Sequence, residues 1–573
     1  MTEELTITTE RVDDTPLLIA HMVRMGLPQH LDTCFPSHGN WQGLSPGWTA
    51  VCWLAHILSE SDHRLNHAQP WAEKRLETLS RCTGQEVREL DFSDDRLALI
   101  LRAMSDDERW ATFEKRLNRH LLRVYELGTN TVRIDTTTCS GYWSVTEEGM
   151  FSFGYSKDHR PDLPQVKVVL STLDPFGMPV ATDVVPGNRA DDPLYIPAIE
   201  RVKEGLDRDG LLYIGDSKMG SRATRAFTHA GGDYYLCPLS ATQFSDEEMM
   251  DYLEPVWSGK QDLEKIYRET IQGEQVLIAR GYERQVEMKG EVEEESLTWT
   301  ERHLVVRSLK QVKAARTRLE KRLEKAKAEV EALNERGRGK KRYEDVTDLR
   351  QAAQALVEQH KVEGLLELSF EETVHRRKVR RYRDRPTRVV EEREPSVAVT
   401  IDEEAVKETI QQKGWRVYAT NAPAEQLPVA QAILAYRDQY IVERGCGRLK
   451  GRPLSLTPMY LERDDHATGL IRLVSIGLRV LTLLEFLVRR QLAERGEELA
   501  GLYAGNPTRT TARPTAERIL EAFKDLTLTL IYESHRSLRH LTPLSELQQR
   551  ILSLLDFSPE VYTCLCTKSS KPP

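Results

Sequence analysis

Cysteine is sparse in this chain: eight residues among 573, scattered along it, with Cys564-Leu-Cys566 the only tight pair. That spacing fits neither a zinc ribbon nor a dithiol redox motif, and the chain reads as cytosolic with reduced thiols. Long apolar runs are lacking too. The most apolar stretch, Ala467 to Val488, is broken by Arg472 and Arg479, which suits a buried helix and not a membrane span. The start, Met1-Thr-Glu-Glu, is acidic and has no apolar h-region, so no secretory signal is read. No Walker-type glycine pattern occurs, which speaks against a nucleotide-driven reaction. A strong excess of one charge is also missing. The net charge of −9 disfavours nucleic acid as a partner when taken as one number, but binding depends on where charge sits. Here it is uneven: Met1 to Asp14 and Asp246 to Glu254 are acidic, whereas His375 to Arg388 is densely basic, either as a binding surface or as a solvated strand or loop.

What is present describes a soluble globular protein of three or four units, since the chain is too long for one core. Residues 1–125 read as helical. Ser45-Pro46 caps one helix, and Ser105-Asp-Asp-Glu108 forms a capping box for another that reaches Tyr125. Such a module either grips DNA or serves packing and dimerisation. From residue 126 the texture becomes α/β. Thr131 to Thr138 is a β-branched strand, Gln165–Leu173 and Met178–Val185 form a hairpin about Asp174-Pro-Phe-Gly177, and Gly210 to Gly215 is a short buried strand between helices. Residues 243–421 interrupt this order. Strand-like pieces at 275–279, 304–308 and 366–370 surround a charged helix with Val312, Leu319, Leu323, Ala326, Val330 and Leu333 at heptad spacing, and Leu349, Ala353, Leu356 and Val357 supply a returning helix. The α/β pattern resumes at Trp415–Thr420 with a helix from Ala424 through Lys450, within a unit spanning 422–490. Residues 491–573 read as helical again, with start signals at Thr515 and Thr542-Pro543.

Three acids stand out. Asp135 lies in a strand whose other face carries Val132 and Ile134, and a carboxylate there needs a partner. Asp216 sits where an apolar strand ends, the place where α/β folds gather ligand-binding groups, although a lone strand-end Asp also serves as a cap. Glu443 shares a helix face with Tyr436, Gln439, Gly447 and Lys450. Together the acids fit phosphodiester chemistry, which needs metal ions placed on the attacking and leaving oxygens. Magnesium takes a few carboxylates plus waters and substrate phosphates.

At this point the sequence resembles the insertion-sequence transposases with a DDE catalytic domain, in particular the group whose glutamate motif reads Y-x2-R-x3-E-x6-K. The motif stands here as Tyr436-x2-Gln439-x3-Glu443-x6-Lys450, with Gln439 where that group has Arg and with Arg437 and Arg444 nearby. Ile134-Asp-Thr-Thr-Thr138, Gly154 to Gln165, Val185-Pro-Gly-Asn188, Gly215-Asp-Ser217 and Gly501 to Thr515 also look like this family. The resemblance covers about residues 15 to 525. It implies an α/β fold with an RNase H-like catalytic domain and a mixed sheet, interrupted by a β-rich insertion with a helical hairpin and flanked by helical N- and C-terminal regions. It implies Asp135, Asp216 and Glu443 as catalytic metal ligands for two Mg2+ (or Mn2+) ions per active site. It further implies DNA contacts from Tyr436, Gln439, Lys450, Lys157, His159 and Arg160. The partners implied are terminal inverted repeats and target DNA, with a homodimer or higher assembly in the synaptic complex, in the bacterial cytosol or nucleoid and without a membrane.

Three side features are weighed beside it. Gly154 to Gln165 is either a solvated loop or a phosphate-facing one through Lys157, His159 and Arg160. His466 reads as part of a helix start, not as a metal ligand with Asp464 and Asp465. Trp257 and Trp299 read as core or strand packing, with base stacking the alternative. Two other functions share the fold: a binding-only or domesticated derivative, and a metal-dependent nuclease that does not join strands.

Overall fold

In the computed structural model, residues 6–566 are described except 38, 129, 271–272, 338, 380–387 and 534–535. The basic segment 375–388 therefore lies largely outside the described residues. The chain opens with strand β1 (Thr6–Arg11), followed by α1 (Thr15–Arg24), α2 (Leu27–Cys34), α3 (Pro46–Glu60), α4 (Leu65–Glu73), α5 (Leu76–Thr83), α6 (Asp94–Met104) and α7 (Asp107–Val124). Ser45 caps α3 by accepting from the Trp48 N–H at 3.4 Å, with Pro46 in the first turn. The cap of α7 is Asp106 and not Ser105, because Asp106 Oδ1 reaches the Arg109 N–H at 3.0 Å while Ser105 closes α6.

Strands β2 (Thr131–Ser140), β3 (Gln165–Leu173) and β4 (Met178–Pro186) form the expected antiparallel pairs, and α8 (Tyr195–Leu206), β5 (Leu212–Ile214), α9 (Arg222–Ala230), β6 (Tyr234–Pro238) and α10 (Asp246–Trp257) follow. Next come β7 (Glu264–Glu269), β8 (Gln275–Val292), β9 (Glu295–Ser308), α11 (Leu309–Glu331), α12 (Val346–Gln359), β10 (Leu366–Val379), β11 (Arg388–Ile401), α13 (Glu403–Gln411) and β12 (Trp415–Thr420). The last part holds α14 (Val429–Arg437), α15 (Tyr440–Lys450), α16 (Asp464–Arg495), α17 (Ala516–Glu521), β13 (Thr527–Glu533), β14 (Arg536–Leu541), α18 (Glu546–Leu554) and α19 (Glu560–Thr563).

The protein is thus mixed α/β around a nine-stranded sheet of order β4-β3-β2-β5-β6-β12-β9-β8-β7. β2, β5 and β6 run parallel, while β12 is antiparallel to both β6 and β9. The strand pieces expected within 243–421 are much longer than their apolar cores. β7 to β9 extend the sheet at one edge, and β10 and β11 make a separate two-stranded ribbon.

The flanking regions are not purely helical, contrary to the expectation for both. β1 pairs antiparallel with β13, which pairs with β14, so the two ends of the chain share a three-stranded sheet. The expected single helix 424–450 is divided at Asp438 and Gln439 into α14 and α15. The start signal at Thr515 holds, but the following helix is capped by Ser545 and not by Thr542.

One large apolar core joins the N-terminal helices, β2 to β4, α8, α15, α16 and the C-terminal elements. Helix α16 runs through it. The two arginines that break its apolar run are buried ion-pair anchors: Arg472 meets Asp107 and the Met104 carbonyl, and Arg479 meets Glu114 at 2.5 Å. A second core lies among β6, β9, β12 and α14, and the α11–α12 pair packs with α13, β10 and β11 in cores of its own. Among the described residues no helix is long and apolar enough to cross a membrane.

Candidate active site

The strand register brings two of the three acids side by side. β2 and β5 pair in parallel, Thr131 with Leu212 and Arg133 with Ile214. The same offset, continued two residues past the end of β5 at Ile214, would put Asp216 level with Asp135. Neighbouring strands lie about 5 Å apart, so the two carboxylates project from adjacent backbones. Val132 and Ile134 fill the other face of β2 and are fully buried. The face with Arg133 and Asp135 looks toward the junction of α14 and α15, because Arg133 Nη2 donates to the Ala435 carbonyl at 2.7 Å. Helix α15 packs over β2 and β3 and carries Glu443, which is solvent-exposed.

Gly215, just before Asp216, is required by close packing. A β-carbon there would stand 2.7 Å from Met219 Sδ and 2.9 Å from the Tyr195 ring. Its absence lets Tyr195 approach, and the Tyr195 hydroxyl donates to Asp216 Oδ1 at 2.7 Å. The Lys218 N–H donates to the same oxygen at 2.8 Å, so Asp216 is oriented from two sides.

Asp135 accepts from the Thr136 N–H at 2.8 Å and faces the Lys157 ammonium at 3.6 Å. Burial pushes its carboxyl above the ordinary range; Lys157 and the backbone N–H oppose this, and the negative charges of Asp216 and Glu443 add to it. The charges of Asp216 and Glu443 are therefore felt at Asp135. Among the described residues, no three His, Cys, Asp or Glu side chains are close enough to hold a metal ion as they stand. The donor chemistry nevertheless suits a hard divalent cation, since the acids offer only carboxylate oxygens.

The remaining expected residues fare differently. Lys157 belongs to the site: it donates to the Thr136 hydroxyl at 2.8 Å and lies 3.9 Å from Asp191. His159 is exposed, and Arg160 is tied to Asp162 at 2.7 Å on the surface. Lys450 is held by Asp158 at 2.5 Å. The Tyr436 ring packs on Tyr418 with centroids 4.8 Å apart, and burial raises the Tyr436 hydroxyl pKa, with the charge of Asp216 contributing. Gln439 precedes α15 with its side-chain oxygen buried and without a hydrogen-bond partner. The neighbouring arginines do not take its place beside the acids. Arg437 reaches Ser308 at 3.1 Å, and Arg444 forms a two-pronged pair with Glu485. His466 lies in the first turn of α16. Trp299 is buried and donates to the Tyr235 hydroxyl at 2.9 Å, whereas Trp257 is 40% exposed.

One participant escaped the sequence. Asp191 holds Lys167 at 2.6 Å and lies 3.9 Å from Lys157, the same ammonium that faces Asp135. The Asp191-Asp192 pair after Asn188 has no local periodicity to mark it, and only the fold brings it to Lys157.

The fold and these carboxylates define an α/β protein with acidic residues within β2 and just past the end of the parallel strand β5. Residues 131–478, well over half of the chain, match the family described as the transposase DDE domain. The chain belongs to that family. No curated protein matches it in sequence. Among solved structures, a cryo-EM structure of a piggyBac transposase synaptic complex with hairpin DNA aligns with 99% of this chain and 89% of that one, at 7% identity and a TM-score of 0.35. At that level neither fold detail nor function transfers.

Proposed function

We propose that the protein is an insertion-sequence transposase that cuts the ends of its element and joins them to target DNA through Asp135, Asp216 and Glu443. What supports this is the parallel pairing of β2 with β5, whose offset continued past Ile214 brings Asp216 level with Asp135, with the helix of Glu443 packed over β2. The order β4-β3-β2-β5-β6, antiparallel and then parallel about β2, supports an RNase H-like catalytic core. In this reading residues 126–242 and 422–490 form that core, 243–421 is an insertion, and 1–125 and 491–573 are flanking regions.

DDE transposases as a family use divalent metal ions. Asp135, Asp216 and Glu443 would hold them here, two Mg2+ or Mn2+ ions per site, and such ions supply activation of the attacking oxygen and stabilisation of the leaving one. The chain's own residues bind and orient. Tyr195 and the Lys218 N–H fix the Asp216 carboxylate, and Thr136 and Lys157 fix Asp135. Lys450 is paired with Asp158, which a DNA phosphate can replace as its partner. Hydrolysis of an end phosphodiester leaves a 3′-hydroxyl. That hydroxyl then attacks a target phosphodiester, one P–O bond forming as another breaks, so no nucleotide is consumed. The partners are terminal inverted repeats and target DNA, and joining two ends calls for at least a dimer in the synaptic complex.

The test is cleavage of a labelled terminal repeat in Mg2+, with binding followed separately by gel shift. Asp135→Asn, Asp216→Asn and Glu443→Gln are each expected to lose cutting and keep end binding. Substantial cutting by any of the three removes that residue from the centre.

A further inference from the structure

A groove of about 580 Å3 lies behind the glutamate helix, between α15, α16 and the chain at 512–513. Arg444, Arg448, Arg489, Arg490 and Arg513 line it, and Glu485 is the one carboxylate among the described residues of its wall. Glu485 is buried and shared many ways: it meets Arg444 at 2.6 Å, Arg448 at 2.5 Å, Arg489 at 2.8 Å and the Ala516 N–H at 3.1 Å. Outside the wall, Glu517 takes part of Arg448 at 2.7 Å and Glu494 lies 3.9 Å from Arg490. Positive charge remains in excess. Burial lowers the Arg489 pKa, Glu485 opposes this, and repulsion from Arg444, Arg448 and Arg513 lowers it further.

The excess charge faces water. The side chains of Arg444, Arg489 and Arg490 are 38%, 31% and 33% exposed. Planar guanidinium forks match phosphate oxygens two at a time, and the five arginines outnumber Glu485, Glu517 and Glu494, the carboxylates that pair with them. Tyr440 stands at the rim, 53% exposed, and offers a flat ring to a sugar or base. Arg444 directly follows Glu443 on α15 but points to Glu485 of α16. A phosphate in the groove is therefore about one helix diameter, ~10 Å, from the acidic centre. It belongs to DNA beside the cut and not to the bond being cut.

We propose that this groove holds the phosphodiester backbone of duplex DNA flanking the reaction site, a contact separate from the carboxylate centre. The inference rests on the reading of the chain as a transposase.

The experiment uses the full chain without divalent metal and a labelled duplex carrying the element's end, with binding read by fluorescence anisotropy across a salt series. Arg490→Gln/Arg513→Gln and, separately, Arg513→Glu are the variants, with melting curves to confirm that each is folded. Both are expected to bind on the order of tenfold more weakly, and the double variant should lose about 1–2 from the slope of log affinity against log salt. Inorganic phosphate supplies the second arm. If phosphate raises the melting temperature of the unaltered protein but not of the variants, while DNA affinity stays unchanged, the groove holds a small anion and the proposal fails. Folded variants with unchanged affinity and slope overturn it as well. Failure of the unaltered protein to bind any duplex overturns the transposase reading along with it.

Discussion

Arg133 shows how much of the site rests on one buried side chain. It lies two residues before Asp135, its guanidinium is fully buried, and it grips Asp174 with both prongs at 2.6 Å while donating to the Ala435 carbonyl at 2.7 Å. Strand β2, which carries Asp135, is thereby tied to the β3–β4 turn at Asp174 and to the last turn of α14 at Ala435. Arg133→Met leaves Asp174 buried without its cation, and breaking such a pair costs about 3–5 kcal/mol. Urea denaturation is expected to report a loss in that range, and a change below about 1 kcal/mol would contradict the role given to Arg133.

Two buried histidines add to the acid sensitivity of the fold. His21 is buried in α1, with Nε2 donating to the Val480 carbonyl at 3.3 Å, and burial lowers its pKa to about 4. His56 in α3 is lowered to about 4 by burial as well. Above the unfolded pKa of about 6.5 both are neutral in either state and cost nothing. As pH falls from there toward 4 the unfolded chain takes up protons that the folded one refuses, so stability is lost across that window and levels off below it. Melting temperature measured from pH 7 to pH 4 should fall, and replacing His21 by Gln should flatten the fall.

At the level of elements, close approach of backbones is what places α16. Gly469 faces α6, where a β-carbon would stand 2.1 Å from the Leu101 carbonyl oxygen. Gly469→Val must push the two helices apart, at a cost of at least about 1–3 kcal/mol. A melting temperature equal to that of the unaltered protein would show that α16 has room the structure denies.

The elements also show what local sequence can and cannot carry. β2 and the β3–β4 hairpin were legible because β-branched alternation and a Pro-Gly turn agree with the pairing that forms. β8 and β9 were seen only as fragments, since residues such as Glu283, Glu287 and Lys289 have little strand preference and are held in place by their partner strands. β13 was missed although its signal is present: Thr527-Leu-Thr-Leu-Ile alternates, with Leu528 and Leu530 buried and β1 lying alongside. The break at Asp438-Gln439 has no Pro or Gly to announce it. Of the candidate site, Glu443 is marked in the sequence by its spacing to Tyr436 and Lys450. Lys157's pairing to Asp135 and the part of Asp191 follow from tertiary folding alone.

Across the whole molecule, one core fixes the first aspartate, the glutamate helix and both ends of the chain in a single body. The ribbon and helices at 309–411 pack largely in cores of their own at its side. That layout puts the acids on one face of α15 and the arginine groove on another, so DNA that crosses both must pass over the glutamate helix. The proposed metal-supported cutting requires that the three acids close around shared ions once DNA is bound. A crystal structure of the protein with Mn2+ and a duplex carrying the element's end, read by anomalous scattering, tests this most directly. Two Mn2+ peaks roughly 3.5–4 Å apart, with Asp135, Asp216 and Glu443 as their protein ligands, are the expected result. Peaks that engage at most one of these three carboxylates would contradict it.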